Sequence, residues 1–116
     1  MTKIGIIEVA WNCYIDVYLN DNLKIILRFD INRTDASIEL DKITAKAECY
    51  RTNYILKHKT MEFSLLQHSD YFVMCGPNSI GTIQYEKIGR ISAYERFDHT
   101  KRVSVSLEQK VLPLTQ

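Results

Sequence analysis

Between Cys13 and Phe29 the chain alternates strictly. Cys13, Ile15, Val17 and Leu19 share one side of a first extended run, and Leu23, Ile25, Leu27 and Phe29 share one side of a second. Only Asn20-Asp21-Asn22 separates the two runs, so the segment predicts a β-hairpin. A loop of Asp21-Asn22 alone would set Tyr18 against Ile25 and oppose the apolar set of one strand with the polar set of the other. A three-residue loop instead pairs Leu19 with Leu23, Val17 with Ile25, Ile15 with Leu27 and Cys13 with Phe29, and this is the expected register. Asn22 takes the left-handed position, which Asn tolerates better than most residues. The outward face then carries Tyr14, Asp16 and Tyr18 opposite Arg28, Ile26 and Lys24.

The remaining chain supplies further strands. Lys3 to Val9 is an isoleucine-rich run that meets Asn12 across Ala10-Trp11, either as one long strand bent near Trp11 or as two strands tightly joined. Asp30 to Asp35 is a polar loop and Ala36 to Leu40 a short alternating strand. Ile43 to His58 has two readings. As a strand it places Ile43, Ala45, Ala47 and Cys49 on one face; as a helix, with Asp41 near the N-cap, it forms a stripe of Ile43, Ala47, Tyr50 and Tyr54. The β-branched and aromatic residues Tyr50, Thr52, Tyr54 and Ile55 favour the strand.

Met61 to Gln67 predicts another strand, with a turn at His68-Ser69-Asp70. Tyr71 to Cys75 and Ile80 to Tyr85 flank Gly76-Pro77-Asn78-Ser79 as a second hairpin. Glu86-Lys87 and Gly89 mark a turn or bulge before Arg90 to Arg96. Phe97 to Thr100 reads as a polar turn, followed by a strand from Arg102 to Leu107 with Val103, Val105 and Leu107 inward. The tail around Pro113 either docks through Val111, Leu112 and Leu114 or hangs free. The fold class expected is mainly β, an antiparallel β-sandwich or partly open β-barrel of about eight short strands in one domain spanning residues 1–116. One helix near residues 42–57 is the α+β alternative.

Composition limits function more than fold. Hydrophobic residues make up 46% and charged residues 25% of the 116 positions, ordinary globular usage that argues against disorder. A formal net charge of +1 demands neither a polyanion nor an anionic membrane. Cys13, Cys49 and Cys75, odd in number and widely spaced, read as buried free thiols of a reducing compartment. No segment has the length of a membrane span and the amino terminus lacks a signal-peptide run, so a cytoplasmic location and no membrane partner are expected.

Motifs for chemistry are weak. His58, His68, Cys75 and His99 lack the close spacings of a zinc site. Asp30, Asn32, Thr34 and Asp41 fall at calcium-loop positions, but Asp35 stands where the sharp turn needs Gly. Gly76 to Gly81 has the outer glycines of a phosphate loop, yet Thr82-Ile83 follows where Lys and a hydroxyl residue belong. No Gly-x-Ser-x-Gly elbow occurs, and Cys75 has no basic neighbour in sequence to activate it. The chain is therefore expected to be no enzyme and to take neither metal nor cofactor.

Two surfaces remain. Tyr14, Asp16, Tyr18, Lys24, Ile26 and Arg28 have the composition of a protein interface, with Tyr14 opposite Arg28 placed for a cation-π contact. Tyr85, Lys87, Arg90, Tyr94, Arg96 and Arg102, with Lys101, mix cations and aromatics as an oligonucleotide-binding barrel does, although Glu86, Glu95 and Asp98 are interleaved. The expectation is a small cytoplasmic protein-binding inhibitor of the toxin-immunity, antitoxin or phage-inhibitor kind, its partner a toxin or an enzyme. A single-stranded nucleic-acid-binding β-barrel is the alternative.

Overall fold

A computed structural model describes residues 1–10, 13–29 and 40–114. The expected bend at Trp11, loop from Asp30 and strand from Ala36 fall outside these residues, except that Leu40 opens a helix. The chain divides into two compact units, Met1–Tyr54 and Ile55–Gln116. Among the described residues there are nine strands in two antiparallel sheets and one α-helix, the mainly β class expected, with the helix of the alternative.

The first unit holds a three-stranded sheet of β1 (Thr2–Ala10), β2 (Cys13–Leu19) and β3 (Ile25–Phe29), in that order. The Ile-rich run and the first alternating run are thus two strands, with Ala10 paired to Cys13. The hairpin forms, but its register corrects the expected one. Leu19 pairs with Ile25, Val17 with Leu27 and Ile15 with Phe29, so the connection spans Asn20 to Lys24. Asn20 explains the shift. Its side-chain oxygen accepts the amides of Asn22 and Lys24 at 2.9 and 3.0 Å, and its amide donates to the Lys24 carbonyl at 3.0 Å. Leu23, not Asn22, takes the left-handed backbone, at φ 61°. That conformation costs a non-glycine residue about 1–2 kcal/mol. The Asn20 bonds and a 2.7 Å hydrogen bond from Arg51 Nε to the Leu23 carbonyl offset it.

The segment favoured as a strand is helix α1 (Leu40–His58). A period of two would have buried Ala45 and Cys49 with Ile43 and Ala47. Ala45 and Cys49 are exposed, whereas Ile43 and Ala47 are buried and Tyr50 is half-buried, as a helical stripe requires. Asp41 in the first turn and Lys57 and His58 in the last complement the helix dipole. The inner side of the sheet, Ile7, Ile15 and Val17, packs against Ile43 and Ala47, with Ile4, Val9, Ile25, Leu27 and Tyr50 at the margin. Tyr50 lies so close to β1 that a Cβ on Gly5 would sit 2.9 Å from its ring, and its hydroxyl donates to the Ile6 carbonyl at 3.1 Å. Only glycine leaves room for the ring there.

The second unit carries a six-stranded sheet. Its strands are β4 (Met61–Glu62), β5 (Tyr71–Cys75), β6 (Ile80–Lys87), β7 (Ser92–Glu95), β8 (Asp98–Ser104) and β9 (Lys110–Pro113), ordered β4-β9-β5-β6-β7-β8. The second hairpin stands where the sequence put it, closed by Gly76 N–H donating to the Ser79 carbonyl at 2.9 Å. Three other expectations are corrected. The strand from Met61 to Gln67 is two residues of β4 followed by a 3-10 turn, Phe63–Leu65. The turn at Phe97 to Thr100 moves to Arg96-Phe97, and Asp98 already belongs to β8, which ends at Ser104 before Leu107. The tail docks, with Val111 fully buried between β4 and β5.

One side of this sheet joins Phe72, Ala93 and Val111 to Phe63, Leu66 and Val105, flanked by Met61, Met74, Tyr85 and Val103. Lys87 belongs to the same side, at 7% exposure, because it pairs with Ala93. Its Nζ donates to the carbonyls of Phe63 and Leu66 at 3.0 and 2.7 Å and sits 4.6 Å from the Phe63 ring centroid. The carbonyl of Leu66, the residue that ends the 3-10 turn, thereby gains a donor, and that of Phe63 gains a second one beside the Leu66 amide.

Candidate functional site

The outward side of β1-β2-β3 keeps the composition read from the sequence, because a register shift of two preserves which side chains face out. Tyr14 pairs with Glu8, Asp16 lies between Ile6 and Arg28, and Tyr18 lies between Lys3 and Ile26. Tyr14 is 44% exposed and Ile6 47%; Arg28 is exposed, while Asp16, Tyr18 and Ile26 are half-buried. Lys3 Nζ meets Asp16 at 3.2 Å. Arg28 lies 5.0 Å from the ring of Tyr18, which corrects the expected stacking on Tyr14, since the new register moves Arg28 beside Asp16. Lys24 is exposed in the loop, before β3 begins. Sequence reasoning missed Ile6 and Lys3, whose place on this face follows from β1 pairing with β2.

The six residues of the second set do not form one surface. Tyr85 stacks on Phe72 with centroids 5.6 Å apart and borders the core, and Lys87 is spent on the 3-10 turn. Arg90 is exposed in the turn before β7. The opposite side of the sheet instead aligns Tyr71, Glu86, Tyr94 and Arg102 as one cross-strand row over β5 to β8. Arg96 joins it, 4.0 Å from the Tyr71 ring centroid, 5.2 Å from that of Phe97, and 2.9 Å from Gln84 Oε1.

His99 also reaches this side. From Tyr94↔Arg102 to Glu95↔Asp98 the ladder advances one residue on β7 and four on β8, and this bulge brings His99 onto the ring of Tyr94, centroids 5.2 Å apart and 19° from parallel. His99 Nε2 stands 3.6 Å from Glu86. Alternation counted back from Val103 would put His99 on the core-facing side, so the sequence pattern does not find it here. Asp98 is engaged locally: its carboxylate accepts the hydroxyl of Thr100 and then its amide, which hold the group below the usual carboxylate range.

The metal and nucleophile readings are set by placement. Among the described residues no three His, Cys, Asp or Glu side chains gather as a metal site, and no helix is long and apolar enough to cross a membrane. Cys13 and Cys75 are buried, but Cys49 is exposed on α1, against the expectation that all three are buried. Burial pushes the Cys75 thiol up, against a smaller opposing effect of a hydrogen bond with the Leu112 backbone. Treatment of the native chain with a disulfide reagent near pH 8 should therefore modify Cys49 rapidly, with Cys13 and Cys75 reacting only after denaturant is added. Rapid release of more than one equivalent from folded protein would contradict the burial.

A scan against models of protein families matches none, and searches of curated proteins and of solved structures find no similar protein.

Proposed function

We propose that the chain acts by binding another protein through the outward side of β1-β2-β3, and that it works as an inhibitor by occupying its partner's surface. The observation that supports this is a sheet side on which Ile6 and Tyr14 stand in solvent beside Tyr18, Arg28 and Lys3. Tyrosine and arginine anchors with a neighbouring apolar residue are the composition of interface hot spots. Scale shapes the reading further. Three strands about 4.8 Å apart and about 24 Å long present about 340 Å², under half of the ~800 Å² that a standard interface takes from each partner. The partner in this proposal extends beyond the strands, with Tyr14 and Arg28 as anchors rather than as the whole contact.

Affinity capture from source cells, repeated with Tyr14→Ala and Arg28→Ala, followed by calorimetric titration of the purified partner, tests it. Each substitution should weaken binding about tenfold or more, roughly 1.4 kcal/mol, at an unchanged melting temperature. Saturation should lower the partner's own activity if the inhibitor reading holds. Equal affinity of the three proteins for one partner would place the contact elsewhere.

A further inference from the structure

We propose that the outer side of the β5 to β8 meander binds single-stranded nucleic acid, with Phe97 and His99 as stacking rings and Arg96 and Arg102 as phosphate contacts. Open rings come first. Phe97 is 82% exposed at the Arg96-Phe97 turn, and the His99 side chain is 60% exposed above Tyr94. A hydrophobic ring left in solvent beside a guanidinium already ordered by Tyr71 and Gln84 offers a base one stacking face and its phosphate one fixed cation. Such stacking tolerates any base, so it favours a strand whose bases are unpaired.

Charge on this side fits the same ligand. Arg102 is exposed at the end of the row, its guanidinium 3.4 Å from Ser92 Oγ. Glu86 is the acid of the row, but its side chain is only 19% exposed and lies under His99. Asp98 faces its own turn through Thr100 and lies 4.0 Å from Lys101, and Glu95 pairs with Tyr85, on the core-facing side. The two arginines are thus the prominent charges of the solvent-facing row, complementary to a phosphate backbone. The ring-and-cation set differs from the one expected from sequence. It gains Phe97 and His99, through the turn and the bulge, and loses Tyr85 and Lys87 to the core.

Fluorescence anisotropy of the full chain with short labelled oligothymidylate and oligouridylate, between about 50 and 200 mM salt, is the test. Neutralising two phosphates of a single strand predicts a slope of log affinity against log salt of about −1.4, falling to about −0.7 in Arg102→Gln. Phe97→Ala should weaken binding about tenfold without altering the circular dichroism spectrum, because the ring is 82% exposed and belongs to no core cluster. Tyr14→Ala should leave oligonucleotide binding intact, which separates this site from the first sheet. Lack of binding at the lowest salt overturns the proposal. So does equal affinity for duplex DNA, which would mean charge without stacking. Capture of a protein that depends on Phe97, with no such dependence for the oligonucleotides, would likewise make this side a protein contact and overturn it.

Discussion

Phe72→Ala should lower the unfolding free energy by about 3–5 kcal/mol, the range seen when a fully buried aromatic ring is truncated. Phe72 has no exposed surface, tilts against Phe63 at 5.3 Å and stacks on Tyr85 at 5.6 Å. Truncation would remove contacts on both sides at once, and the 3-10 turn that holds Phe63 and the strand β6 that holds Tyr85 cannot close the gap without breaking their backbone hydrogen bonds. Set against the roughly 5–15 kcal/mol that separates folded from unfolded states in small proteins, this is a large share. Urea denaturation followed by tyrosine fluorescence measures it. Phe97→Ala is the matched control, expected within about 0.5 kcal/mol of the parent because its ring lies in solvent. Similar losses for the two would mean that Phe72 does not anchor the core.

Lys87→Met should cost about 2–4 kcal/mol, although it replaces a polar side chain by an apolar one of similar length at a buried position. The usual expectation runs the other way, since burying a lysine is unfavourable. Here the amino group is the donor for two carbonyls, Phe63 O and Leu66 O; methionine would strip the buried Leu66 carbonyl of this donor and leave Phe63 O with the Leu66 amide alone. Lys87→Arg tests the geometry as well. The planar guanidinium keeps donors but does not fit a site shaped for one tetrahedral nitrogen, so it should recover only part of the loss. A Met variant as stable as the parent in thermal and urea unfolding would show that the Leu66 carbonyl finds another partner.

The legibility of this chain divides along physical lines. Alternation in β2 and β3 correctly sorted Tyr14, Asp16, Tyr18, Ile26 and Arg28 to one side, because the side-chain period of a strand is two whatever the loop does. The register was not legible, because it was decided by the Asn20 side chain capping two amides, an effect that residue type alone does not separate from an Asn22 turn. In α1, the β-branched and aromatic residues Tyr50, Thr52, Tyr54 and Ile55 favoured a strand over the helical stripe of Ile43, Ala47, Tyr50 and Tyr54. The tertiary fact that Ile43 and Ala47 have a sheet to pack on decided it for the helix. Lys87 looked like a surface cation because the two carbonyls it serves lie more than twenty residues away. The contact between His99 and Tyr94 depends on a bulge, which breaks the periodicity that sequence reading relies on.

The loop from Asn20 to Lys24 carries an evolutionary corollary. Its closing pair is Leu19 with Ile25, and α1 packs on the side that Ile25 and Leu27 occupy. Gaining or losing two residues at this tip would slide β3 along its neighbour while leaving the same side chains under the helix. A single-residue insertion or deletion would turn Ile25 and Leu27 to water and drive Ile26 and Arg28 inward. Length variants of this hairpin among descendants of the chain should accordingly come in even steps, a parity rule enforced by packing rather than by the loop itself.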